Sequence, residues 1–158
     1  MKAASLSELK QELQTRSHKE ISELCLRLAK FKKENKELLT FLLFEEANLQ
    51  SYIESVKIEV DEQFSLMNKT NIYFVKKSAR KILRLVNKFI KYAASKEAEV
   101  QLLIYYCIAL QNSGVAIHKS SALTNLFERQ IEKINVAIEF LHEDLQYEYR
   151  KNLEEIKN

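Results

Sequence analysis

The 158-residue sequence predicts an all-α protein, and three features carry that prediction. It has no proline and one glycine, so it lacks the residues that tight turns between strands require. Its apolar residues recur every three or four positions over most of the chain, the period of amphipathic helices. Charged residues make up 30% and apolar residues 46%, which fits a folded core under a charged surface better than a disordered chain. The length suits one domain over 1–158, able to bury roughly 70% of its unfolded surface.

Taken in order, Ser5 with Glu8 is a capping box that opens a short helix over 5–15, with Leu6, Leu9 and Leu13 on its apolar side. Thr15 to Ser17 is a break, and Ser17 with Glu20 opens a second helix. That helix is expected to bury Ile21, Leu24, Cys25, Leu28 and Phe31. Lys30, Lys32, Lys33, Asn35 and Lys36 read as a polar connector, and a third helix carries Leu38, Leu39, Leu42, Leu43 and Phe44. Glu45 to Asn48 is a kink or link. A long fourth helix places Leu49, Tyr52, Ile53, Val56, Val60, Phe64 and Met67 on one side and is acidic on the other.

Met67 to Asn71 ends the fourth helix, with Asn68, Thr70 and Asn71 as turn or cap residues before the fifth. The fifth presents Ile72, Val75, Ala79, Ile82, Val86, Phe89, Ile90 and Ala93 as one stripe. Ser95 caps a sixth helix, apolar almost all round from Val100 to Leu110 and therefore expected among others. Gly114 stands where a helix C′ residue belongs. Val115 to Lys119 is a loop. A last long helix starts near Ser120 or Ser121 and runs through Leu145, and its polar tail, 146–158, is expected to fray. About seven helices result. They are expected as stacked antiparallel hairpins resembling an α-α superhelix, with a closed bundle around the sixth helix as the alternative.

The anomaly is electrostatic. Between Glu62 and Glu97 lie nine lysines and arginines and no acidic residue, in a chain whose formal net charge is only +3. The rest of the chain is therefore net negative. On the fifth helix Lys77, Arg80, Lys81, Arg84, Lys88 and Lys91 step by three or four opposite the apolar stripe, a spacing at which like charges repel by roughly a few tenths of a kcal/mol per pair. The relief must come from outside that helix. It could come from a solvated face neutralised by an acidic helix bearing Glu54, Glu59, Asp61 and Glu62, from nucleic acid, or from an acidic protein surface. A membrane surface fits poorly, because no bulky aromatic anchor sits among the lysines. Tyr73, Phe74 and Tyr92 beside them are assigned to packing ahead of base stacking.

Little else suggests chemistry. One glycine excludes a Gly-rich phosphate loop, and no cofactor is implied. Glu139 and His142 form a lone Glu-x-x-His pair that a continuous helix would place on one face, whereas di-iron bundles use two such pairs. No metal site is assigned, and His18, His118 and His142 read as surface or helix-end residues. Cys25 and Cys107 sit in apolar runs and read as buried free thiols of a reducing compartment. No apolar run reaches the roughly 18 residues of a membrane span, and a cytoplasmic protein is expected.

The opening Leu6-Ser7-Glu8-Leu9-Lys10-Gln11-Glu12-Leu13, followed by Ser17-His18-Lys19-Glu20-Ile21-Ser22-Glu23-Leu24 and Lys32-Lys33-Glu34-Asn35-Lys36-Glu37-Leu38, resembles a domain-of-unknown-function family of small all-helical bacterial proteins. The resemblance implies an all-α fold and assigns no activity and no functional residue. The sequence as a whole reads as a non-enzymatic helical binding or scaffold protein that meets an anionic partner through Lys77, Arg80, Lys81, Arg84, Lys88 and Lys91. A nucleic-acid binder using the same face is the alternative, and an enzyme assembled from scattered Glu, His and Tyr residues is a third reading.

Overall fold

The computed structural model describes residues 2–157, and every regular element among them is helical. The α-helices are α1 (Leu6–Gln14), α2 (His18–Phe31), α3 (Lys33–Thr40), α4 (Leu49–Ser65), α5 (Ile72–Ala93), α6 (Lys96–Asn112), α7 (Ser121–Ile138) and α8 (Glu143–Lys157). A π-turn (Phe41–Glu45) and two 3₁₀ turns (Glu46–Asn48 and Ile117–Lys119) complete them. The all-α prediction holds. Where the sequence suggests a single domain, contacts group the chain into two compact units, Met1–Phe44 and Glu45–Asn158.

In the first unit both capping boxes form. Ser5 Oγ accepts from the Glu8 amide at 3.3 Å while Glu8 Oε2 accepts from the Ser5 amide at 2.7 Å, and Ser17 and Glu20 repeat the arrangement. Arg16, between the two helices, pairs with Glu12 of α1 and Glu20 of α2. The burial expected along α2 is not found. Ile21 and Cys25 are half-buried, while Leu24, Leu28 and Phe31 are exposed, Phe31 by 77%. Among the described residues of this unit Phe41 alone is buried. Three short helices offer too few neighbours to cover a full stripe. The connector is also shorter than expected: Lys32 alone, with extended backbone, ends α2 and starts α3, and Asn35 Nδ2 donates to the Leu28 carbonyl at 2.8 Å.

The second unit is built around α6, which packs against α4, α5, α7 and α8. Leu102, Leu103, Tyr106, Cys107 and Leu110 of α6 are all but sealed from solvent. Ile53, Val56 and Val60 of α4, Ala79, Ile82 and Val86 of α5, and Ile134 and Ile138 of α7 are buried in the same way, on helices that pack against α6. The one polar atom that Tyr106 carries inward is satisfied: its hydroxyl donates to the Ala79 carbonyl at 3.0 Å.

Ends are set locally. Asn48, Asn71 and Ser95 cap α4, α5 and α6 through side-chain oxygens. The last predicted helix is two. α7 stops at Ile138, and α8 begins at Glu143 after a link tied by Gln146 Nε2, which donates to the Leu141 carbonyl at 2.8 Å. The tail expected to fray is instead docked, because Tyr149, Leu153 and Ile156 are buried and Gln111 Nε2 donates to the Ile156 carbonyl at 2.8 Å.

Two helix ends use left-handed backbone, Gly114 (φ 76) after α6 and Ala94 (φ 47) after α5. A Cβ at Gly114 would meet no atom within 4 Å, so only its backbone conformation demands glycine. Gly114→Ala should therefore cost about 1 kcal/mol and Ala94→Gly should gain up to about 1 kcal/mol in urea unfolding, with opposite signs from the same cause.

Burial also makes a pH prediction. Desolvation pushes the Cys107 thiol up to about 12. Tyr105 is likewise pushed up to about 12, first by desolvation and then by its hydrogen bond to Asp61. Both groups bind protons more tightly folded than unfolded, so stability is full below about pH 9 and falls as pH rises towards 12. For the buried thiol the slope is about 1.4 kcal/mol per pH unit. Urea titrations between pH 7 and 11 should show this loss, and Cys107→Ala should make it shallower.

Candidate functional site

The cationic face of α5 follows from the packing of its other side. Val75, Ala79, Ile82, Leu83, Val86 and Ile90 are buried, which turns Lys77, Arg80, Lys81, Arg84 and Lys91 out as exposed residues. None of these five has a carboxylate within 4 Å among the described residues. Lys88 differs: it is half-buried, with its ammonium 4.8 Å from the centre of the Phe89 ring and 5.9 Å from that of Tyr92.

The acidic side of α4 does not sheathe this ridge. Glu54 pairs with Lys57 on its own helix at 2.8 Å, and that hydrogen bond holds its carboxyl below the ordinary range. Asp61 accepts from the Tyr105 hydroxyl at 2.6 Å. Glu59 alone of that helix's carboxylates joins the ridge, in a shallow groove with Gln63, Lys81, Arg84, Leu85 and Lys88.

The six cations singled out in the sequence are not one strip. Lys77, Arg80 and Arg84 line a groove of about 730 Å³ between α5 and α7, Lys81, Arg84 and Lys88 line the groove facing α4, and Lys91 lines neither. The α5–α7 groove also takes Tyr73, Lys76 and Asn87, over Leu83 and Leu126, and no carboxylate lines it. Tyr73, Lys77, Arg80, Arg84 and Asn87 are separated by four, three, four and three residues, so they form one ridge. Lys76 lies four before Arg80, a spacing visible in the sequence but passed over there. Tyr73 and Asn87 share that spacing too, but only the approach of α7 makes them part of a concavity.

Local electrostatics reinforce the sign. The first turn of α5 carries no acidic residue, so no carboxylate there offsets the positive end of the helix macrodipole. Asn87 is held in place: its amide donates to the Leu83 carbonyl at 2.8 Å and its oxygen accepts from Lys133 Nζ of α7 at 2.9 Å. Lys133 also pairs with Glu99 of α6 at 3.3 Å, and Lys96 pairs with Glu99 at 2.7 Å. Burial opposes ionisation of Glu99, but the hydrogen bond from Lys96 and the charges of both lysines outweigh it and hold the carboxyl below its ordinary value.

The aromatic assignments divide. Tyr92 is buried and meets Phe89 edge-on at 6.1 Å, which is the packing role expected. Tyr73 is 62% exposed at the mouth of the groove and touches Phe74 edge-on at 5.4 Å, so packing does not account for it.

Other candidates do not assemble. α7 ends before the Glu139/His142 pair, so the two share no helical face. His142 precedes α8, where its Nδ1 accepts weakly from the Asp144 amide at 3.5 Å. It therefore stands at a helix N-terminus and not, as its position suggested, at a C-terminus. His18 and His118 are exposed. No group of three metal-binding side chains occurs among the described residues. Cys107 is the buried free thiol expected, but Cys25 is only half-buried. A second groove of about 740 Å³ gathers His118, Glu128 and Glu132 over Ile117, Phe127 and Ile131. No hydrogen bond orients any of those three side chains among the described residues. No described helix is long and apolar enough to cross a membrane.

An unpaired ridge should be relieved by screening. Raising NaCl from about 20 to about 500 mM should raise the midpoint of thermal unfolding, and Lys77→Gln/Arg80→Gln/Arg84→Gln should shrink that rise. Compared with protein-family models, curated proteins and solved structures, the chain matches none, and its functional reading rests on the geometry of this ridge and groove.

Proposed function

We propose that the chain is a non-enzymatic helical binding or scaffold protein whose α5 face receives an anionic partner. The observation that supports it is the set of five exposed cations with no carboxylate within 4 Å among the described residues, three of which line a groove free of acids. A fold gains nothing by holding like charges at helical spacing without counter-charges, whereas an anionic partner converts their repulsion into attraction. A buried oriented acid–base pair, which a catalytic reading would need, has no counterpart in this groove.

The reading is tested on a column of immobilised sulfated polysaccharide. Lys77→Glu/Arg80→Glu/Arg84→Glu should elute at clearly lower salt than the unmodified chain with its helicity unchanged. A control of equal charge change on exposed sites elsewhere, Lys30→Glu/Lys119→Glu/Lys151→Glu, should elute close to the unmodified chain. Equal elution of the two variants would sink the proposal, because retention would then report net charge alone. Unfolding of the ridge variant would sink it too, by making the ridge an internal contact.

A further inference from the structure

The α5–α7 groove has features that a merely anionic surface would leave unused. Its floor is apolar, made by Leu83 and Leu126. Tyr73 stands at one end with most of its ring in solvent. Asn87 lines the groove farther along α5, with its oxygen taken by Lys133 and one amide hydrogen by Leu83, so the second amide hydrogen remains to donate. Between them Lys76, Lys77, Arg80 and Arg84 supply four positive charges over about 12 Å of helix.

We infer that this groove takes single-stranded nucleic acid, with phosphodiesters along the four cations and an unstacked base against Tyr73. This deepens the anion-binding reading and rests on it. An aromatic face beside a row of cations is the combination that binds a strand whose bases are free to stack. A rigid duplex would meet the cations along its backbone but would leave the ring and the recessed floor without contact. An acidic protein segment would pair its carboxylates with the cations without calling on Tyr73. Arg80 and Arg84 add planar guanidinium groups that hold phosphate in two-point contact.

The test is fluorescence anisotropy with labelled 12-nucleotide oligo-dT and oligo-U, a 12-base-pair duplex and a labelled polyglutamate of similar charge. Single strands should bind tightest at 50 mM NaCl and weaken about fifty-fold by 200 mM, the slope for four released counterions. Tyr73→Ala should weaken single strands about tenfold or more and leave polyglutamate unchanged, while Tyr73→Phe should keep affinity. Thermal melts of both variants should match the unmodified chain, since Tyr73 is exposed. Duplex or polyglutamate binding as tight as the single strands, or no effect of Tyr73→Ala, would overturn the inference while leaving the anion-binding reading intact. No binding of any of the four probes at 50 mM would overturn both.

Discussion

The second unit depends on the need to cover most of α6, whose stripe through Gln101, Tyr105 and Ile108 is left partly in solvent. That helix has almost no polar side, and exposing it would cost roughly 25 cal/mol for each Å² of apolar surface returned to water. Four helices answer that need, and each must turn its apolar stripe towards α6. For α5 this fixes rotation about its own axis: Ala79, Ile82, Leu83 and Val86 go inward, and Tyr106 locks the register by donating to the Ala79 carbonyl. The cations then have nowhere to go but outward. The electropositive ridge is thus a consequence of core packing, but its shortage of carboxylates is not. Of the acids of α4, Glu54 and Asp61 are engaged by Lys57 and Tyr105, and Glu59 shares a groove with Lys81, Arg84 and Lys88.

Features encoded within one turn of helix were legible in the sequence. The capping boxes at Ser5 and Ser17, the caps at Asn71 and Ser95, and Gly114 all depend on neighbours three or four residues away, and all appear where their residue types place them. Most of the apolar stripe and of the cationic side of α5 was legible for the same reason, because a 22-residue helix of one period leaves little freedom, although Ile72 is exposed and Lys88 half-buried.

Features that require a second element were not. The break after Ile138 has no glycine or proline, and the residue that precedes α8 is His142, outside the usual capping set. The polar tail looked loose because Tyr149, Leu153 and Ile156 are spaced as a narrow stripe that matters only once α6 and α7 are beside it. The stripe of α2 misled in the opposite sense: its pattern promises burial, but its own unit is too small to provide it. The candidate site shares this division. Its charges could be read from the chain, but its concavity could not, since Leu126 is some forty residues from Leu83.

That concavity also explains how the site keeps its sign. Asn87 connects the groove lining through Lys133 to Glu99, a carboxylate close enough in the network to dilute the field. Two lysines hold Glu99, and its side chain is only 12% exposed, so its charge is already matched before it can act on the groove. Removing Lys133 would do two things at once: free the Asn87 oxygen and leave Glu99 with one partner. A half-buried acid held by two cationic partners therefore leaves the charges of the α5–α7 groove without a competing carboxylate.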